Sequence, residues 1–266
     1  MFEKRRPNEQ TRIIFVRHLD TQGRLVRQNI KDDPRYKLLL SLYEKRRLST
    51  TDLQKANALG SELLAAFGFL PPDMDLPILE GQEALGRAMG EALANKYGVP
   101  DRWEVSPYRR AQQTSHLLRE GVARASSVSL PPELTNPQIY EKNVGASDEY
   151  PSVRVYLATH PKELKKFLRD PEGYAYPHGE SRRSFKRRMR RNVRALKRKR
   201  EYEGQTTVIV AHSLVMEEHI RQLLGLTDIH ENIPPGSTIV IEADPKRFLR
   251  ARRFRLVSQI GEKLVA

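Results

Sequence analysis

Ile13-Ile14-Phe15-Val16-Arg17-His18 and, far downstream, Thr207-Val208-Ile209-Val210-Ala211-His212-Ser213 share one design. Each is a short run of mostly β-branched and aromatic residues that stops at a histidine. A continuous apolar run of this length reads as a strand buried on both faces, which is the condition of strands in parallel sheets covered by helices. In open α/β sheets, ligands bind beyond the carboxyl ends of the strands. Both histidines are therefore expected at the ligand edge of a sheet.

Working outward, the spacing predicts helices over Pro34–Arg47, with Leu38, Leu39, Leu42 and Tyr43, and from Thr50 or Thr51 to Gly68. Leu70-Pro71-Pro72-Asp73 breaks the chain. A helix over Glu80–Lys96 leads to a strand over Arg102–Val105. Another helix follows Ser106-Pro107, where serine caps and proline suits the first turn. A short strand is expected around Ile139, a helix over Pro151–Arg169 and a loop over Asp170–Gly179. A basic helix at about 180–200 follows, with Phe185, Met189, Val193 and Leu196 on one stripe. The strand ending at Ala211, a helix over Leu214–Leu224 and strands over Ser237–Glu242 and Arg250–Val257 complete the chain. Strands alternating with helices predict an α/β fold: a three-layer α/β/α sandwich with a mostly parallel central sheet. The 266 residues are read as one domain carrying a helical insertion at about 24–76.

Composition narrows the function. The chain has no cysteine, which excludes disulfides, cysteine nucleophiles and thiolate metal sites. Its longest apolar runs are far too short to span a bilayer, and no apolar segment follows the basic start, so no transmembrane segment and a cytoplasmic location are expected. The net charge is +14. Residues 182–200 hold Arg182, Arg183, Lys186, Arg187, Arg188, Arg190, Arg191, Arg194, Lys197, Arg198, Lys199 and Arg200 with no acid, so this one segment carries nearly all of that excess. Like charges at helical spacing repel by a few tenths of a kcal/mol per pair, so the segment is a candidate surface for a polyanion, whether nucleic acid or an acidic surface.

An imidazole held unprotonated and in line can attack phosphorus, forming a phosphohistidine that splits one difficult displacement into two. Such a site also needs cations on the equatorial oxygens and an acid for the departing oxygen. Arg17 beside His18 supplies a guanidinium suited to phosphate. The sequence shows no metal-binding motif, and no metal or other cofactor is expected. His116, His160, His219 and His230 show no partner spacing and read as structural.

The stretch Val16-Arg17-His18-Leu19-Asp20-Thr21 resembles the Arg-His-Gly signature of the histidine phosphatase superfamily, which includes the phosphoglycerate mutases. Four further pieces follow in the family's order: Ser106 to Thr114 (Ser-x-x-x-Arg-Ala-x-x-Thr), Ile139 to Gly145 around Glu141, Tyr176-Pro177-His178-Gly179-Glu180-Ser181, and Val210-Ala211-His212-Ser213. The resemblance covers roughly residues 11–245, apart from a longer stretch over 24–76. It implies His18 as the nucleophile, and Arg17, Arg110 and His212 as its partners on the phosphate. It further implies Glu141 as proton donor and then base. Arg24 stands near the position of a family asparagine and is a candidate phosphate contact. Glu180 reads as structural.

The implied activity is a phosphatase acting on a phosphorylated small molecule or a phosphoprotein. Hydrolysis is preferred over mutase chemistry because the stretch from Glu141 to Pro177 is short, and the stretch Tyr174 to Ser181 resembles the sugar-bisphosphatase branch. The two alternatives are a mutase-type phosphotransferase and a catalytically weak binding protein. Two departures bear on activity. Leu19 replaces the family glycine and would be strained if the backbone there took a positive φ, and Ser213 replaces a common glycine.

Overall fold

A computed structural model describes residues 11–45, 47–72, 76–198, 200–226, 233–243 and 254–260. It divides the chain into two compact units. The first contains residues 1–20, 78–141 and 186–266, and the second residues 21–77 and 142–185.

The first unit is built on strands β1 (Arg12–Arg17), β2 (Arg102–Val105), β3 (Glu133–Thr135), β4 (Thr206–Ala211), β5 (Thr238–Ala243) and β6 (Phe254–Ile260). They form one sheet in the order β3-β2-β4-β1-β5-β6. The first four strands in that order run parallel, β5 is antiparallel to β1, and β6 is antiparallel to β5. The mostly parallel sheet is therefore present as the two apolar runs imply. Every residue of β4 and β5 is buried.

The period of two along each strand divides the core into two faces. Ile14, Val16, Trp103, Val105, Val208, Val210 and Val240 share a cluster with Leu93 of α4 (Glu83–Tyr97) and with Ala111, Leu118 and Val122 of α5 (Arg109–Ala125). A Cβ at Gly90 would strike the Leu118 carbonyl, and one at Gly121 would strike that of Arg87. Glycine thus lets α4 and α5 approach backbone to backbone. On the other face Phe15 packs against the ring of His219, at 5.5 Å between centroids, on α9 (Ser213–Leu224). Met189, Val193 and Leu196 of α8 (Arg182–Arg198) are also buried. His219 joins α8 to α9 through Asn192, at 2.6 Å. Helices, sheet and helices make the expected three layers.

The second unit is helical: α1 (Gln22–Asp32), α2 (Pro34–Tyr43), α3 (Thr50–Phe67), α6 (Val153–Thr159) and α7 (Pro161–Arg169), with the first residues of α8. Ile30, Leu39, Leu42, Leu63, Val155 and Ala158 lie in its main core. Tyr156, Tyr174 and Tyr176 belong to a second cluster.

Several local expectations are corrected. Among the described residues, 23–76 hold three helices rather than two. The additional one, α1, starts where the Thr21 side chain accepts from the Arg24 amide. The cap of α3 is Ser49, in a reciprocal box with Asp52, rather than either threonine. The single helix expected over Pro151–Arg169 is two, because Pro161 has no amide hydrogen and biases His160 away from helical dihedrals. No strand forms at Ile139. The Asn136 carboxamide accepts from the Gln138 amide and starts a turn, and the strand lies earlier, at Glu133–Thr135. Of the last expected strand, residues 250–253 lie outside the described residues. No described helix is long and apolar enough to cross a membrane.

Candidate active site

β1 and β4 pair in parallel with Arg17 opposite Ala211, so His18 and His212 are the next residues of the two strands. The His18 amide donates to the Ala211 carbonyl at 3.0 Å and extends the ladder by one rung. Their rings lie 5.1 Å apart between centroids. Sequence separation is cancelled by register, and both imidazoles sit at the carboxyl edge of the sheet.

The state of each ring follows from its partners. His18 Nδ1 lies 2.6 Å from the Leu19 carbonyl oxygen. A carbonyl can only accept, so Nδ1 carries the hydrogen. Nε2 accepts from Arg110 Nε at 3.0 Å and therefore presents a lone pair. His18 is thus held in the tautomer that a nucleophile at Nε2 requires.

His212 is completely buried and its Nε2 meets the Ser106 hydroxyl at 2.7 Å. That hydroxyl also accepts from the Tyr108 amide at 3.4 Å, which leaves its own hydrogen for His212. The proton of the neutral ring then lies on Nδ1, which has no partner among the described residues. Burial, followed by the charge of Arg110 and then by those of Arg17 and Arg188, holds the pKa of His212 well below the ordinary histidine value. It remains neutral at physiological pH.

Two buried guanidinium groups accompany the histidines. Arg110 enters from the first turn of α5, 3% exposed, with its plane 4.9 Å from the Tyr108 ring. Arg17, on β1 beside His18, donates to the Ile233 carbonyl. The backbone after His18 is fixed by Thr114, whose hydroxyl accepts from the Leu19 amide at 3.0 Å and donates to the Arg110 carbonyl at 2.8 Å. Leu19 does not have a positive φ. Its side chain is buried, 1% exposed, with Cδ1 and Cδ2 near Gly86 and Gly236. The backbone strain considered for leucine at this position is absent.

The fold thus brings His18, His212 and Arg110 together, with Arg17 next to His18 in the chain. Glu141 is half-buried in the loop following Tyr140, in the same unit. Arg24 is half-buried in the first turn of α1, in the second unit. Glu180 joins its backbone amide to the Asn143 carbonyl and its carboxylate to the Asn143 amide, at 2.8 and 3.1 Å. Ser213 donates to Glu217 at 2.8 Å. Of the remaining histidines, His219 and His160 bond to backbone carbonyls, and His116 pairs with Glu120. His230 lies outside the described residues.

Three residues were not assigned from sequence. Ser106 was read as a helix cap, but α5 begins at Arg109 without a side-chain cap, and the hydroxyl serves His212 instead. Thr114 closes the Ser-x-x-x-Arg-Ala-x-x-Thr stretch, whose pattern carries no sign of its hydrogen bonds. Arg188 stands in the basic run like its neighbours, yet it is only 4% exposed.

A buried neutral imidazole, a second whose Nε2 accepts from an arginine, and buried guanidinium groups at a sheet's carboxyl edge define a site for an oxyanion such as phosphate. The family model of the histidine phosphatase superfamily (branch 1) matches residues 72–253. The chain belongs to that superfamily, whose members are phosphatases and mutases. Arg17 and His18 precede the matched range and are tied to it by the β1–β4 register. Comparison with curated proteins gave no match. Among solved structures, the α-ribazole phosphatase of Shigella flexneri is similar at a TM-score of 0.59 and 18% identity, over 91% of this chain and 96% of that one. A mycobacterial glucosyl-3-phosphoglycerate phosphatase is similar at 0.56 and 17%, over 93% and 97%. At these identities the likeness concerns the fold.

Proposed function

We propose that the protein is a phosphatase that hydrolyses phosphomonoesters through a phosphohistidine on His18. The observation that carries this reading is the tautomer of His18, with Nδ1–H on the Leu19 carbonyl and the Nε2 lone pair exposed to Arg110. In the first step Arg110 leaves Nε2 for a phosphate oxygen. Nε2 then forms a bond to phosphorus while the ester P–O bond breaks. The departing oxygen takes its proton from the Glu141 carboxylic acid. In the second step Glu141, now a carboxylate, removes a proton from water. The resulting hydroxide forms a P–O bond, the N–P bond breaks, and inorganic phosphate and free His18 result.

Arg17, Arg110 and the Nδ1–H of His212 hold the equatorial oxygens. A neutral His212 donates without adding a positive charge that would need discharging each cycle. Preorganised donors of this kind are worth about 10²–10³-fold each when buried. The short segment between Glu141 and Pro177 favours water over a second phosphorylated substrate as acceptor. The substrate class is a phosphorylated small metabolite or phosphoprotein, and the protein acts in the cytoplasm.

The test is hydrolysis of p-nitrophenyl phosphate by wild type and by His18→Ala. Turnover that disappears in the variant supports the reading, whereas equal turnover in both rejects it. The mycobacterial relative was solved in complex with VO3, and vanadate is expected to compete with substrate here too.

A second reading concerns α8. Arg187, Arg190, Arg191, Arg194 and Arg198 are exposed, and no ion-pair partner for them occurs among the described residues. This face is a docking surface for nucleic acid through its phosphates. Binding should weaken steeply with salt, and charge reversal at Arg187, Arg191 and Arg194 should abolish it. Unchanged affinity would rule the surface out.

A further inference from the structure

The basic helix carries one arginine that does not belong to its surface. Arg188 is 4% exposed, and its Cζ lies over the Tyr140 ring at 3.5 Å from the centroid. Its Nη1 donates to the carbonyls of Gln138 and Tyr140 at 2.8 and 2.9 Å, and its Nη2 reaches that of Glu141 at 3.5 Å. One side chain thus gathers three carbonyls within four consecutive residues and stacks on the ring between them. Burying a guanidinium is costly unless its donors are satisfied. A segment without helix or strand has few other means of holding one conformation.

We infer that Arg188 is the positioning residue for Glu141, fixing through the 138–141 backbone the place from which that carboxyl group gives its proton to the leaving oxygen. The inference rests on the assignment of Glu141 as acid in the proposed reaction. Arg188 does not touch substrate. It acts because a displaced acid cannot follow the leaving oxygen, and misplacement by about 1 Å can cost on the order of 10²-fold. Lysine is a poor replacement: it keeps the charge but has neither the planar fork for two neighbouring carbonyls nor the flat face for Tyr140.

The chemistry supplies a readout that loss of folded protein does not move. p-Nitrophenolate leaves readily without protonation, whereas an alkoxide needs the acid. The ratio of kcat/KM for glycerol phosphate to that for p-nitrophenyl phosphate, measured on one preparation, therefore reports the acid and cancels the folded fraction. Glu141→Gln should lower this ratio by about 10²-fold, within the usual range for general acid catalysis. Arg188→Met is expected to lower it by about tenfold or more, with Arg188→Lys falling between Met and wild type.

If Glu141→Gln lowers the ratio and Arg188→Met lowers both substrates equally, Arg188 is only structural. The inference then falls while the acid assignment stands. If Glu141→Gln itself leaves the ratio unchanged, the acid assignment fails and the inference fails with it.

Discussion

The ends of β1 and β4 are neighbours in one parallel ladder, and each delivers a histidine, yet the two sites treat imidazole in different ways. At the end of β1, a backbone carbonyl accepts from Nδ1–H of His18 and so leaves the lone pair on Nε2. At the end of β4, a serine hydroxyl occupies Nε2 of His212, and burial keeps the ring neutral with its proton on the other nitrogen. Position in the sheet makes the two equivalent, and hydrogen-bond partners make the Nε2 of His18 an acceptor and the Nδ1 of His212 a donor.

The largest test of this difference is replacement of each ring. His18→Ala removes the covalent route and is expected to lower kcat on the order of 10⁴-fold or more. His212→Ala removes one buried donor and should cost about 10²–10³-fold. Equal losses, measured by steady-state kinetics, would erase the distinction. Next in size is Leu19→Gly, which restores the family's residue. Because Leu19 is buried without a positive φ, this change should destabilise the protein by about 2–5 kcal/mol in denaturant unfolding. It should not raise kcat, and a faster enzyme would show that leucine restrains His18.

The third test uses acid. His219, buried between Phe15 and Asn192, is shifted from the ordinary value to about 4 by desolvation. His212 is shifted in the same direction. A histidine depressed in the fold contributes no penalty above its unfolded value of 6.5. Below that value the unfolded chain takes up a proton that the native site refuses, so stability falls as pH drops from 6.5 toward 4. His219 alone accounts for about 3 kcal/mol over that window. His219→Gln should flatten the acid limb, and an unchanged profile would contradict it. The smallest effect is expected for Ser106→Ala, which frees the His212 ring. A loss of about fivefold to tenfold in kcat corresponds to one hydrogen bond, with the His18 tautomer unaffected.

What could be read in advance follows from where the information lies. A strand buried on both faces writes itself as an apolar run, so β1 and β4 and the histidines beyond them are visible, as is Arg110 from its place before Ala111. Residues that act by facing one particular neighbour were not. A serine before a helix reads as a cap whether its hydroxyl turns to the helix or, as at Ser106, to His212. Arg188 was hidden among eleven other cations of the same segment, because a charge run carries no mark of which member points inward. β3 escaped notice because Glu133, Leu134 and Thr135 are all exposed and show no alternation. α1 escaped because its sequence is strongly polar, with only Gly23 and Ile30 buried.

The proposed reaction turns on a covalent bond formed at His18 Nε2. The direct measurement is to mix enzyme with a phosphoryl donor, quench in base to preserve phosphohistidine, and locate the added phosphate by mass spectrometry of the digested chain. The phosphate should appear on the peptide containing His18 in the wild-type protein and be absent from His18→Ala. Phosphate retained in that variant, or found on His212 instead, would contradict the account.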